Sequence, residues 1–189
     1  MWVFLATEIL FFGVLFASYT IARIRFPEAF ALGSAKTDVV LGAIEAVILL
    51  LSSALVTWAL ALLELGSRRL VTGLLVATAL LGVAFLVLHG MEYLKEYHEH
   101  LMPGIDWAQS GPHAPAMEQF FFLYYAMTLY HSLHVLIGIG TIATMAVMVW
   151  RGFIWSGYTT PLVLAALYWH LVDIVWIFLF PLIYLISRT

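Results

Sequence analysis

Residues 168–180 read YWHLVDIVWIFLF, and this stretch determines how the rest of the chain has to fold. It lies inside the last long apolar run, 161–187, yet it carries His170 and Asp173 three residues apart. Residues three or four apart share one face of an α-helix. Because so apolar a segment belongs in lipid, its polar face has to be covered by other helices.

The composition extends this conclusion to the whole chain of 189 residues, which is 64% hydrophobic and 10% charged. Soluble domains have about half apolar and about a quarter charged residues. Five apolar stretches reach the roughly 20 residues that a helix needs to cross a bilayer, namely 2–24, 39–63, 70–94, 118–150 and 161–187. Since backbone groups in lipid are satisfied within helices, the sequence predicts an all-α integral membrane bundle of five transmembrane helices. We expect one domain over residues 1–189.

Bulk properties exclude several classes of function. The chain has no cysteine, which rules out disulfides, thiolate metal sites and cysteine nucleophiles. A net charge of -3 gives no sign of nucleic-acid binding. The apolar run begins at Met1 without a basic segment before it, so we expect no cleavable signal peptide. A membrane segment this close to Met1 also suggests that a short polar leader is missing from the sequence.

The connections between the spans indicate an orientation. The segments 64–69 and 151–160 are predicted to be short turns, whereas 25–38 and 92–117 are predicted to be polar loops on the other side. The two turns carry three arginines, and short loops weigh most in the positive-inside rule. We therefore expect the turns and the N-terminus to be cytoplasmic.

The long connection 92–117 begins with acidic residues at helical spacing, Glu92, Glu96 and Glu99. We expect the third span to continue past the membrane and to stop before Pro103. Together with Asp106 and Glu118, and opposed by Lys95 alone, these acids would attract a basic partner such as a cytochrome c. A solvated helix face without a partner is the alternative that we favour.

Every predicted span contains ionisable side chains, although an Asp at the centre of a bilayer costs roughly 2.5–3.5 kcal/mol on insertion scales. These side chains are Glu8, Glu45, His89, His131, His134, His170 and Asp173. No Lys or Arg lies deep in any predicted span. We therefore expect the ionisable side chains to face the interior of the bundle.

Three interpretations of the histidines and Asp173 are open on the residues alone. His131 and His134 share a face of the fourth span, and packing it against the face of His170 and Asp173 would pair imidazoles with a carboxylate. The first interpretation is interhelical packing of this kind. The second is a metal or haem site, for which the ligand types are suitable but the spacing matches no metal motif. The third is a proton relay.

Two glutamates lie apart from this group. Glu8 belongs to a stripe of the first span that also contains Phe4, Phe12 and Phe16 at steps of four. A carboxyl group among aromatic rings is either a neutral hydrogen-bonding group or a proton-exchanging site. Glu45 lies nearer the loop end of the second span, and we interpret it as a packing or interface residue.

Several segments together resemble subunit III of haem–copper terminal oxidases, the cytochrome c and quinol oxidase family. They are MWVFLATEILFFGVLFASY (1–19), LLLSSALVTWA (49–59), HGMEYLKEYHE (89–99), YYAMTLYHSLHVLIG (124–138) and YWHLVDIVWIFLF (168–180). Each segment alone is a weak signal. Their order and spacing match the family over essentially the whole chain, which makes the combination specific.

The resemblance implies a non-catalytic subunit of a bacterial inner-membrane complex that reduces O2 to water and pumps protons in aerobic respiration. Haem and copper would lie in partner subunits, so we expect no metal and no catalytic residue in this chain. The implied partners are subunits I and II, membrane lipids including a bound phospholipid, and cytochrome c as electron donor. Glu8 corresponds to a buried carboxylate of the family, and His131, His134, His170 and Asp173 to its helix-packing positions.

Mitochondrial-type members of this family have seven spans, and this chain lacks the first two, which build half of a lipid cleft. Subunit III of a quinol oxidase and an accessory protein of nitric-oxide reductases are alternatives with the same architecture. A stand-alone transporter is the alternative from another class. It is disfavoured because the sequence has no inverted repeat and no pair of interrupted helices.

Overall fold

A computed structural model describes residues 2–186, and in this part of the chain six helices and one short hairpin form. The helices are α1 (Trp2–Arg25), α2 (Pro27–Lys36), α3 (Val39–Glu64), α4 (Arg68–His98), α5 (Ala114–Trp150) and α6 (Thr160–Tyr184), and β1 (Leu101–Met102) pairs antiparallel with β2 (Asp106–Trp107). All helices except α2 are long and apolar enough to cross a membrane. The five predicted spans are confirmed within a few residues at their ends. The predicted end of the last span at 187 lies outside the described residues.

The stretch 168–180, with its polar residues His170 and Asp173, lies in the most central helix. α3 packs along α4, α4 along α5, and α6 fills the space between α3 and α5, whereas α1 contacts mainly α5. In the most apolar window of α6, 56% of the residues are buried, against 17% in α1. The helix that carries His170 and Asp173 is therefore the one that its neighbours cover most completely.

The segment 25–38 is mostly helical, and the prediction of a loop was wrong. Pro27 occupies the first turn of α2, where its missing N–H breaks no helical hydrogen bond. Glu28 at the start and Lys36 at the end of α2 suit the helix dipole. Gly33 is the point where the ring of Phe120 on α5 presses against α2.

The start of the connection 92–117 is also more buried than predicted. α4 ends at His98, before Pro103, and β1 and α5 pack against its last turns. Glu92 and Glu96 are consequently only 2% and 3% exposed. The expectation of a solvated acidic face was wrong for these two residues, and only Glu99 of the three faces the surroundings.

One tryptophan of α6 holds three neighbouring helices together. Trp169 is fully buried, and its Nε1 donates a hydrogen bond to Ser52 Oγ of α3 at 2.9 Å. A Cβ atom added to Gly82 of α4 or to Gly138 of α5 would lie 2.8 Å from its indole ring. Both glycines are therefore needed for the close approach of α4 and α5 to α6.

Gly138→Ala should lower the thermal midpoint of the purified protein, because the added methyl group overlaps Trp169 and overpacking typically costs about 1–3 kcal/mol. Gly140→Ala is the matched control, since a Cβ there meets no atom within 4 Å. Both changes carry the same gain in helix propensity, so the difference between them isolates the contact. Thermal unfolding in detergent measures it, and equal midpoints for the two variants would contradict this packing.

Candidate functional site

The first polar contact between helices joins α1 to α5. Glu8 Oε2 lies 3.0 Å from His134 Nε2, and the two side chains are 13% and 8% exposed. His134 Nδ1 lies 2.9 Å from the carbonyl oxygen of Tyr130, to which it can donate. With Nδ1 directed at that carbonyl group, Nε2 is the ring nitrogen that faces the carboxyl group of Glu8.

The Glu8–His134 pair forms part of the wall of an apolar cleft. This cleft lies between α1, α5 and α6 and has a volume of about 580 Å³. Phe12 packs edge-on against His134, with ring centroids 5.8 Å apart, and Phe4 packs against Tyr168. The predicted aromatic surroundings of Glu8 are thus present, but they cover only part of the carboxyl group.

The second polar contact joins α6 to α3. His170 Nδ1 lies 2.6 Å from Ser53 Oγ, and its Nε2 lies 3.4 Å from Thr57 Oγ1. Asp173, which is 3% exposed, lies one turn further along and beside the same serine. The shared face that the spacing predicted for His170 and Asp173 is formed, and it meets α3.

The predicted pairing of Asp173 with the imidazoles of α5 is not formed. Within the described residues, neither His131 nor His134 has a ring nitrogen within 4.0 Å of its carboxylate. His131 is fully buried and stacks on Trp176 with ring centroids 5.0 Å apart, while His134 faces Glu8. Spacing along one helix shows which residues share a face, but the rotation of the packed helices decides which neighbour that face meets.

A third group of ionisable side chains lies between α3 and α4. Glu45, His89 and Glu92 are 0%, 2% and 2% exposed. His89 Nδ1 lies 3.5 Å from Glu45 Oε2 and 3.6 Å from Glu92 Oε2. The hydroxyl of Tyr184 on α6 donates to Glu92 Oε2 at 2.8 Å. We refer to Glu45, His89 and Glu92 as the inner cluster.

The sequence interpretation did not bring the inner cluster together. Glu45 was interpreted as a packing or interface residue, but its complete burial excludes an interface role. One signal was present: Glu45 and His89 lie at nearly equal distances from the short turn between α3 and α4. In an antiparallel helix pair, residues equidistant from the turn lie at the same level, so their proximity could have been expected.

A charged pair covers the end of the α3–α4 interface next to the inner cluster. Asp38 caps α3 by accepting a hydrogen bond from the Leu41 N–H at 3.2 Å, and Lys95 Nζ donates to its other oxygen at 3.1 Å. The hydrogen bond from Lys95, followed by that from Leu41, lowers the pKa of Asp38. The backbone N–H of Asp38 also approaches Glu92 Oε1 at 3.4 Å, which links this surface pair to the cluster.

The bundle should lose stability as the pH falls through the lowered pKa of Asp38. A carboxylate whose pKa is lowered by folding stabilises the fold above its unfolded pKa of about 3.9 and loses that contribution when it is protonated. Asp38→Asn keeps a good capping group and removes the charge. The variant should therefore lack the loss of stability that protonation of Asp38 causes in the wild type at acid pH. Asp38→Ala also removes the cap and should cost about 1 kcal/mol more at pH 7. Thermal midpoints measured from pH 7 down to below the unfolded pKa of Asp38 test these effects. Identical dependence of the midpoint on pH for wild type and Asp38→Asn would contradict the role of the charge.

Fold and site together define a class of protein: a multi-pass helical membrane protein in which acids and imidazoles are held between the helices. The sequence matches the family described as Cytochrome c oxidase subunit III over residues 1–188. The chain therefore belongs to this family of oxidase subunits, and the resemblance seen in the sequence is confirmed.

Relatives across the family differ in their electron donors. The chain is 30% identical to cytochrome bo(3) ubiquinol oxidase subunit 3 of Pseudomonas putida, over 98% of this chain and 84% of the relative. It is equally 30% identical to cytochrome c oxidase subunit 3 of Thermostichus vulcanus, over 98% of this chain and 85% of the relative. It is 32% identical to the heme-copper oxidase subunit I+III of Aeropyrum pernix, where the match covers 98% of this chain and 22% of that longer protein. Membership of the family thus establishes a subunit III of haem–copper oxidases without specifying the donor.

Proposed function

We propose that this chain is a non-catalytic subunit III that packs against and stabilises the catalytic subunit I of a haem–copper oxidase. The observation that carries this proposal is the relative from Aeropyrum pernix, in which a segment similar to the whole of this chain is part of a protein named subunit I+III. Two parts joined in one polypeptide are held within reach of each other. A separate chain of the same family would make the corresponding contact across a subunit interface.

For the complex as a whole, we propose cytochrome c as the electron donor, with subunit II as a further partner in the inner membrane of a bacterium. The description of the matching family supports this donor. The relative from Pseudomonas putida supports a quinol instead, so quinol oxidation is the second candidate. The burial of Glu92 and Glu96 removes two carboxylates from the surface that this chain could offer to a cytochrome c, so we propose that cytochrome c docks on other subunits.

Purification through a C-terminal tag in mild detergent tests the proposed function. We expect larger subunits to co-elute and a reduced-minus-oxidised spectrum to show haem bands. Oxygen consumption should follow the addition of reduced cytochrome c and not of a ubiquinol analogue. Consumption with quinol alone would replace the donor and leave the assignment as subunit III intact. A colourless chain that elutes alone, under conditions that preserve other respiratory complexes, would contradict the assignment.

Within the complex, we propose that the Glu8–His134 pair exchanges protons beside the cleft between α1, α5 and α6. The close approach of a carboxyl oxygen and an imidazole nitrogen in the wall of this cleft supports this role. Glu8 lies near the start of α1, on the side that we expect to be cytoplasmic, where an oxidase takes up protons. The apolar wall of the cleft would accommodate an acyl chain of a phospholipid.

Glu8→Gln preserves a hydrogen-bonding group opposite His134 but cannot release a proton. We expect normal assembly and a nearly unchanged initial rate, with lower turnover at high pH or faster loss of activity during sustained turnover. The matched control is Glu28→Gln, because Glu28 also lies near an imidazole, at 3.4 Å from His113 Nε2, but is 79% exposed. If both variants behave alike in rate and in durability, Glu8 has no role in proton exchange.

A further inference from the structure

We propose that the inner cluster of Glu45, His89 and Glu92 is a binding site for a divalent metal cation, with Zn²⁺ as the best match. The site lies inside the bundle between α3 and α4, on the side of the connection 92–117. A metal site here goes beyond the proposed function. It also differs from our expectation, based on the family resemblance, that this chain binds no metal.

The separations within the inner cluster suit a cation better than hydrogen bonds. One ligand atom from each of the three side chains lies within 4.8 Å of the others. The distances of 3.5 Å and 3.6 Å from His89 Nδ1 to the two carboxylate oxygens exceed the roughly 2.7–3.2 Å of an N–H···O hydrogen bond. Ligand atoms about 2.1 Å from a tetrahedral Zn²⁺ lie about 3.4 Å from one another, which is close to both distances.

The unpaired atoms of the cluster also point to a ligand. Neither oxygen of Glu45 and neither ring nitrogen of His89 has a hydrogen-bond partner among the described residues, although both side chains are at least nine-tenths buried. A buried polar atom left without a partner costs about 1–3 kcal/mol. A proton on Nδ1 could serve only one of the two carboxylates, whereas a cation between the three side chains would contact Nδ1 and both carboxylates at once.

Charge balance favours a divalent ion. Lys95, the cationic side chain at the end of this interface, is 55% exposed and already bonded to Asp38. Two carboxylates, a neutral imidazole and a divalent cation form a group without net charge, which an apolar interior accommodates at the least cost. Nitrogen and carboxylate oxygen ligands suit Zn²⁺, and the absence of thiolates disfavours softer ions such as Cu(I).

Surrounding residues hold the ligands in place. His89 and Glu92 are three residues apart on α4 and therefore share a face. The hydroxyl of Tyr184 fixes Glu92 Oε2 at 2.8 Å, and the ring of His89 stacks on Phe85 and meets Trp176 edge-on. Such outer contacts orient metal ligands before the ion arrives. Water or the second oxygen of Glu45 would complete the coordination.

Zinc content of the intact oxidase complex tests the proposal. The complex is incubated with zinc sulfate, passed through gel filtration with a weak chelator, and analysed for zinc and haem iron by mass spectrometry. The wild-type complex should retain one more zinc per chain than the variants Glu45→Gln and His89→Phe. The Phe side chain in the second variant keeps the aromatic packing of His89. Glu96→Gln is the matched control, because Glu96 is a carboxylate of α4 that is 3% exposed and outside the cluster, and it should retain the zinc. X-ray absorption of the wild-type zinc should show nitrogen and oxygen ligands only.

Equal zinc in wild type and in the two cluster variants would overturn the cation site and indicate protonated glutamates instead. Loss of the zinc from Glu96→Gln as well would also overturn it, since the effect would then not depend on the cluster. Haem is measured in the same samples and reports on the proposed function alone. A haem-containing complex without the additional zinc therefore refutes only the cation, and a zinc-binding chain without haem refutes only the oxidase assignment.

Discussion

Within residues 2–186, the polar side chains in the middle of the bundle have no Lys or Arg partners, and the arrangement of the helices depends on how they are accommodated instead. α3, α5 and α6 contain no Lys or Arg, and those of α1 and α4 lie near the helix ends. Buried acids and imidazoles must therefore find hydroxyl groups or each other across helix interfaces. Glu8 and His134 join α1 to α5 in this way, and Ser53 and His170 join α3 to α6. The groups that are costly in lipid thus also determine which helices are neighbours.

The Glu8–His134 pair and the inner cluster lie near opposite ends of the bundle. Glu8 lies about two turns into α1, and Glu45 lies about two turns into α3, which starts on the other side of the membrane. Between these levels, Trp169 and the glycines that face it close the interior with tightly packed apolar and aromatic groups. A proton exchanged at the first site and an ion bound at the second would therefore act independently.

Features that depend on composition and periodicity could be predicted from the sequence. The five spans, the common face of His170 and Asp173, and the short turn within 64–69 belong to this group. The failures concern features that tertiary contacts decide. α2 forms because α5 covers one side of it, and Glu92 is buried because other elements pack over the end of α4. No spacing along a single helix contains that information, so the partner of Asp173 could not be derived from spacing, and only the antiparallel pairing of α3 and α4 about their turn pointed to the inner cluster.

Assembly with a catalytic subunit should affect the two sites differently. Glu8 lines a cleft at the surface of the bundle, so a lipid or a neighbouring subunit over this cleft would control how water reaches the Glu8–His134 pair. The inner cluster is enclosed by α3, α4 and α6 of this chain alone, with Tyr184 and Trp176 closing its far side. Its occupancy therefore follows from the fold of the chain itself. If the Glu8–His134 pair exchanges protons as proposed, a partner subunit over the cleft would adjust that exchange, whereas an ion in the inner cluster would act on the internal stability of the subunit.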